Sequence, residues 1–145
     1  MGTVSAAAVV PGPLEDARAL WFDTRRWPNF VDGFRTVVRV DSGWPASGSI
    51  VWDSTPHGSG RTVERVTGPG IAEIESERLR GTQTVTFEPG GDEVRVIVRL
   101  EYALKERSPL TPLVDLLFVR RALRDALVRT VRRYAAERTA DAAGY

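Results

Sequence analysis

Residues 61–79 read RTVERVTGPGIAEIESERL, two alternating runs on either side of Gly68-Pro69-Gly70. Alternation with a period of two marks strands that keep one face wet, and a Gly-Pro-Gly step between them is a turn. Folding the runs back on each other places Arg65 opposite Glu73 and Arg61 opposite Glu77. Opposite charges then pair across one face, so the register is self-consistent and that face is solvated.

Outward from this hairpin the same period recurs, with turn residues about every ten positions. It predicts strands at Phe34 to Asp41, Ser49 to Pro56, Arg61 to Thr67, Ile71 to Leu79, Thr82 to Glu88 and Glu93 to Lys105, with a second turn at Pro89-Gly90-Gly91. Upstream, Thr3 to Val10 reads as a small-residue strand stopped by Pro11. Pro13 then opens a short helix with Leu14, Ala17, Leu20 and Trp21 on one side, interrupted at Asp23 and Thr24. A second short helical piece surrounds Pro28, which is tolerated in a first turn, and ends at Gly33. Downstream, Thr111 and Pro112 read as an N-cap and first-turn pair opening a helix to about Ala136. Leu116, Val119, Leu123, Leu127, Thr130 and Tyr134 share a face of it, and Ala135 to Tyr145 is expected to fray.

The order is one strand, two short helices, six strands and a long helix. That is an α+β chain of one domain, 1–145, with a strongly twisted antiparallel sheet whose dry face the helix covers. Ile50, Trp52, Val66, Ile74, Val85, Phe87, Val94, Val96, Val98, Leu100, Tyr102 and Leu104 fall on that face. The same parity also turns Ser54, Thr62, Glu64, Ser76, Arg78 and Gln83 inward. In this register Ser54, Thr62 and Ser76 form a row, Glu64 lies beside Trp52 and Ile74, and Arg78 lies beside Gln83. Inward polar groups are costly in a solid core and acceptable in a lined cavity. The competing reading has Glu64 and Arg78 pairing with each other or reaching a rim.

Composition narrows the function classes. With 20 Lys and Arg against 19 Asp and Glu, the net charge of +1 gives no general pull on nucleic acid. The absence of cysteine rules out disulfides and thiolate chemistry, and the single histidine, His57, leaves a metal short of ligands. No metal or other cofactor is expected. His57 sits in STPHGSG, an inter-strand loop, and reads as a solvated turn residue; that loop is followed by a strand and lacks Gly-Lys-Ser/Thr, so it is no phosphate loop. The opening MGTVSAAAVV lacks a basic n-region, and no apolar run is long enough to span a bilayer, so a cytoplasmic protein is expected.

Four stretches, DTRRWPNFVDGF, GSIVWDSTPHGSGRTVERV, LRGTQTVTFEPGGDEVRVIVRLEYAL and PLTPLVDLLFVRRALRDAL, together with this order of elements, resemble the START-like (SRPBCC) superfamily in its bacterial polyketide cyclase/dehydrase-like branch. The likeness spans nearly the whole chain. Its most characteristic piece, Asp-x-x-Arg-Trp-Pro-x-aromatic, is matched by Asp23, Arg26, Trp27, Pro28 and Phe30. The resemblance implies a helix-grip fold: a seven-stranded curved antiparallel sheet wrapped around a long C-terminal helix, with two short helices between strands 1 and 2 and an apolar cavity between sheet and helix. It places Trp27 and Phe30 over the sheet's open end as a lid or plug, with Phe30 nearer the mouth; the competing reading has them pack the end of a filled core.

Three functions compete. The first is a carrier or receptor for a hydrophobic small molecule, lipid, sterol-like or aromatic polyketide-like. Trp27, Phe30, Trp52, Phe87, Val96, Val98 and Tyr102 would grip it, and Ser54, Thr62, Glu64, Ser76, Arg78 and Gln83 would orient it. The second is an aromatase/cyclase with Glu64 as base and Arg78 or Tyr102 stabilising an enolate oxygen. The third is an interaction module presenting Arg120, Arg121, Arg124, Arg129, Arg132 and Arg133 to an acidic partner or anionic membrane.

Overall fold

The computed structural model describes residues 2–54, 60–105, 109–114 and 118–144, the side chains of residues 111 and 112 excepted. The expectations for Pro56, for His57 and its loop, for the Thr111 and Pro112 side chains and for Leu116 lie outside the described residues.

Seven strands form one antiparallel sheet: β1 (Gly2–Pro11), β2 (Phe34–Val40), β3 (Ser49–Ser54), β4 (Gly60–Gly68), β5 (Ile71–Glu75), β6 (Leu79–Gly90) and β7 (Glu93–Leu104). Their spatial order is β1-β7-β6-β5-β4-β3-β2. Strands β2 to β7 follow one another through hairpins, as the turn signals predict, and β1 adds to the free side of β7 from Gly2↔Tyr102 to Pro11↔Glu93. The consecutive strands β1 and β2 therefore lie at opposite edges. The chain between them must cross the sheet, and it does so as α1 (Leu14–Trp21) and α2 (Trp27–Phe30). This crossing is why two short helices, broken at residues 22–26, close one end of the fold.

The predicted Arg65–Glu73 pair is present both as register partners and as an ion pair. The predicted Arg61–Glu77 pair is not: β4 and β5 part after Val63↔Glu75, and Arg61 binds Asp53 at 3.1 Å. The chain turns earlier than expected. Residues 76–78 make the bend, closed by the Ser76 N–H donating to the Leu79 carbonyl at 2.9 Å, and β6 starts at Leu79. Arg80-Gly81 looks like a turn in the sequence but lies inside β6, where Gly81 pairs with both Ile74 and Tyr102. A side chain at Gly81 would run into the Glu101 carbonyl, so this glycine marks a close approach of backbones.

The C-terminal segment contains α3 (Thr111–Val114) and α4 (Arg120–Ala142), so the last helix extends beyond the predicted stop at Ala136. Fraying from Ala135 is prevented by contacts made far away in sequence. Arg26 binds Glu137 at 2.6 Å and Asp141 at 2.9 Å. Arg138, itself buried, donates to the Pro11 carbonyl at 3.2 Å and faces Asp16 at 3.4 Å.

These anchors make the two halves of α4 unequal. Its C-terminal half packs on β1, α1 and α2 and buries Thr130, Val131 and Tyr134. Tyr134 meets Trp21 and Phe30 edge-on with ring centroids 5.2 and 5.5 Å away, and its hydroxyl donates to the Ala17 carbonyl at 2.5 Å. The N-terminal half, with Leu123 and Leu127, stands off from the middle of the sheet, and a space opens between them.

Candidate functional site

That space is a cavity of about 930 Å³. One wall is the concave face of β3 to β7: Trp52, Thr62, Glu64, Val66, Ile74 and Gln83, with Val85, Leu100 and Leu104 behind them. The opposite wall is the N-terminal half of α4, through Ala122, Leu123, Ala126 and Leu127. Strand alternation and helical spacing thus each deliver one apolar surface, and the grip at the other end of α4 keeps them apart.

Aromatic residues close one end. Trp27 meets Phe34, Trp44 and Trp52 edge-on at 5.9, 5.6 and 6.2 Å, and its indole N–H donates to the Trp21 carbonyl at 2.9 Å. The interlocking rings and the satisfied indole fix this end as a wall. Both residues are buried, Trp27 5% and Phe30 only 1% exposed. Phe30 packs between Trp21 and Tyr134.

Of the residues predicted to face a ligand, Trp27, Phe30, Trp52, Ser54, Thr62, Glu64, Ser76, Arg78 and Gln83 all border the cavity. Phe87, Val96, Val98 and Tyr102 are not among its lining residues. They have the predicted parity but belong to the filled part of the interior. Val96 and Val98 are fully buried in the core, Phe87 packs on Phe22 beneath the Arg18 guanidinium, and Tyr102 lies over Gly2 of β1.

The polar groups are spread more widely than the predicted row. Thr62 pairs with Trp52, Ser54 with Gly60, and Gln83 with Ala72 and Leu100. Arg78 does not lie beside Gln83, since the early bend carries it off the strand to an exposed rim position, next to Glu77. Among the described residues no hydrogen bond or ion pair engages the Arg78 guanidinium, so the alternative of a Glu64–Arg78 pair is not realised.

Glu64 is the chemically distinctive group. It projects from β4 between Ile50 and Ile74, and one carboxyl oxygen accepts the Trp52 indole N–H at 2.7 Å. It borders the cavity from the sheet side. Burial pushes its carboxyl above the usual carboxylate range, opposed in part by the Trp52 hydrogen bond. Held by Trp52 through one oxygen, the carboxyl can donate an O–H when protonated and accept hydrogen bonds when ionised. Among the described residues, no cluster of three or more His, Asp or Glu side chains is placed to hold a metal ion.

Sequence reading missed Trp44 and Phe22 as wall residues. Trp44 comes from the loop between β2 and β3, and the signal was a bulky aromatic inside the turn-rich DSGWPASG, where a solvated loop needs none. Phe22 ends α1 and stacks edge-on against Trp44 at 5.8 Å. The basic helix face is also interrupted: Arg129 and Arg133 both bind Asp32, at 3.0 and 3.2 Å.

No family profile and no curated protein sequence matches the chain. Solved structures do. The protein TTHA0849 from Thermus thermophilus superposes with a TM-score of 0.72 at 21% identity, covering 99% of this chain and 100% of its own. A START superfamily protein from Mycobacterium smegmatis gives 0.68 at 18% identity over 94% of this chain and 96% of its own. The Zhui aromatase/cyclase from Streptomyces sp. R1128 gives 0.63 at 9% identity over 99% and 98%. The chain therefore has the START-like helix-grip fold, shared with this START superfamily protein and with the Zhui aromatase/cyclase.

Proposed function

We propose that the protein binds a hydrophobic small molecule, a lipid, a sterol-like compound or an aromatic polyketide-like compound, in the cavity between the sheet and α4. The observation that carries this reading is the cavity itself, about 930 Å³ and walled mainly by Trp52, Val66, Ile74, Val85, Leu123 and Leu127. It lies toward the upper end of small-molecule sites, roughly 300–1,000 Å³. Burial of apolar surface supplies affinity at about 25 cal/mol per Å² before the costs of association. Thr62, Gln83 and Glu64 supply orientation. Carriage of a lipid in the cytoplasm fits such a site. Native mass spectrometry of freshly isolated protein, followed by denaturing extraction, tests the reading. A retained apolar molecule is expected. An empty protein whose tryptophan emission ignores added lipids, sterols and aromatic polyketides sinks it.

A second reading, an aromatase/cyclase-type enzyme, is favoured by Glu64 alone. A carboxyl of raised pKa facing an apolar cavity is suited to moving a proton in aldol closure or dehydration. Tyr102 lies outside the lining and Arg78 sits at the rim, so neither backs the enolate beside Glu64. Full turnover of an aromatic polyketide substrate by Glu64→Gln would remove this reading.

A further inference from the structure

Next to the cavity lies a surface that is mostly outside its lining. Leu110, Leu113, Val114 and Phe118 are 64, 53, 41 and 66% exposed, four large apolar side chains within a short stretch of chain. A cluster of this kind, unlike scattered exposed apolar residues, marks an interaction surface. Phe118 and Val119 also line the cavity, so the patch is continuous with its rim. Directly after it come Arg121 and Arg124 on the first turns of α4, both exposed. Among the described residues neither makes an ion pair. The first turn of α4 carries no acidic residue, and among the described residues the exposed carboxylates bordering this stretch include Asp125, one position beyond Arg124, and Glu77, which shares the rim with Arg78. Residues 110–124 contain three arginines and one acid.

We propose that this patch docks the protein on an anionic lipid bilayer. Leu110, Leu113 and Phe118 enter the boundary between headgroups and acyl chains, while Arg121 and Arg124 meet lipid phosphates. Charge complementarity favours a bilayer over a second copy of the chain. A two-fold interface centred on this patch would bring each Arg121 and Arg124 toward their own copies, whereas a bilayer presents the opposite charge beside an apolar interior. Docking in this orientation holds the Phe118 rim of the cavity against the membrane, giving an apolar molecule a path that avoids water. No described helix is long and apolar enough to cross a membrane, so the association is at the surface.

Sedimentation with vesicles of phosphatidylcholine, with and without phosphatidylglycerol, tests this on the full chain. The protein is expected to sediment with the anionic vesicles, less so as salt is raised. Arg121→Gln with Arg124→Gln is expected to lower partitioning by about fivefold per arginine. Leu110→Ser with Leu113→Ser is expected to lower it about tenfold or more. Both double variants should keep the parent far-ultraviolet circular dichroism. Because Leu110 and Leu113 do not line the cavity, that variant should still retain a ligand, so docking and ligand binding succeed or fail separately. Absence of binding, or binding equal on both vesicle types and untouched by either variant, overturns the proposal. So does a dimer in sedimentation velocity without vesicles that the Leu110→Ser, Leu113→Ser protein no longer forms, which would assign the patch to self-association.

Discussion

Trp52 holds Glu64 across the β3–β4 pair, its indole N–H 2.7 Å from a carboxyl oxygen, although the two are diagonal neighbours and Glu64 stands opposite Ile50. The pairing fixes a half-buried ionisable group of the cavity wall and gives it a pH signature. Folded Glu64 has a pKa above the ordinary glutamate value of 4.5, so the folded state binds this proton more tightly than the unfolded chain. Its contribution to stability is greatest below about 4.5 and is lost as pH rises through the folded pKa. Glu64→Gln keeps an oxygen for Trp52 and removes the titration. The variant should be more stable than the parent at neutral pH, with the gap closing in acid, as read from urea midpoints at several pH values. An unchanged pH dependence would show that Glu64 is solvated.

Arg26 supports a second prediction. It bridges from the start of α2 to Glu137 and Asp141, and these carboxylates hold its guanidinium firmly in the charged form. The three side chains are each about a quarter to a third exposed, so solvent screening limits the energy to about 1 kcal/mol. Arg26→Ala should speed amide exchange selectively in residues 137–142, with a small drop in Tm. Uniform exchange across α4 would show that the bridge does not hold the helix end.

The contrast between the two residues shows what sequence could reveal. Glu64 was legible because strand parity is local: the alternation either side of Gly68-Pro69-Gly70 determines which side chains turn inward and which strands pair. The anchoring of α4 was not, because Arg26 and Glu137 are separated by 111 positions and no periodicity connects them. Gly81 misled for a related reason. Its local signal is that of a turn, and only the neighbouring strand, with the Glu101 carbonyl against it, explains the glycine. Parity also overstated the site, since it marks Val96 and Val98 as inward without saying that α4 fills their end of the interior and leaves the other open.

Tyr134 is the side chain on which the grip depends. It is fully buried between Trp21 and Phe30, with its hydroxyl bonded to the Ala17 carbonyl, and burial raises its pKa well beyond the usual tyrosine range. Tyr134→Phe keeps the rings and leaves that carbonyl without its hydroxyl partner, for a loss of about 1–2 kcal/mol. Tyr134→Ala opens a void beside α1 and α2 and should lose about 3–5 kcal/mol. Urea unfolding of both proteins separates the hydroxyl from the ring, and equal losses would refute this partition.

Ala126 faces the cavity from α4, across from the sheet wall, and its small side chain leaves the space that a ligand would use. Ala126→Trp replaces that space with an indole while touching none of the core contacts around Tyr134. Because an unfilled volume receives the new ring, stability should change by less than about 1.5 kcal/mol, in contrast to the strain of overpacking a closed core. Retention of an apolar molecule should fall at least tenfold, measured by native mass spectrometry against the parent protein. Ala126→Ser, which adds only an oxygen, should retain it nearly as well. If the tryptophan variant is strongly destabilised, the helix and sheet are already in contact there. If it is stable and still carries the molecule, the ligand lies elsewhere.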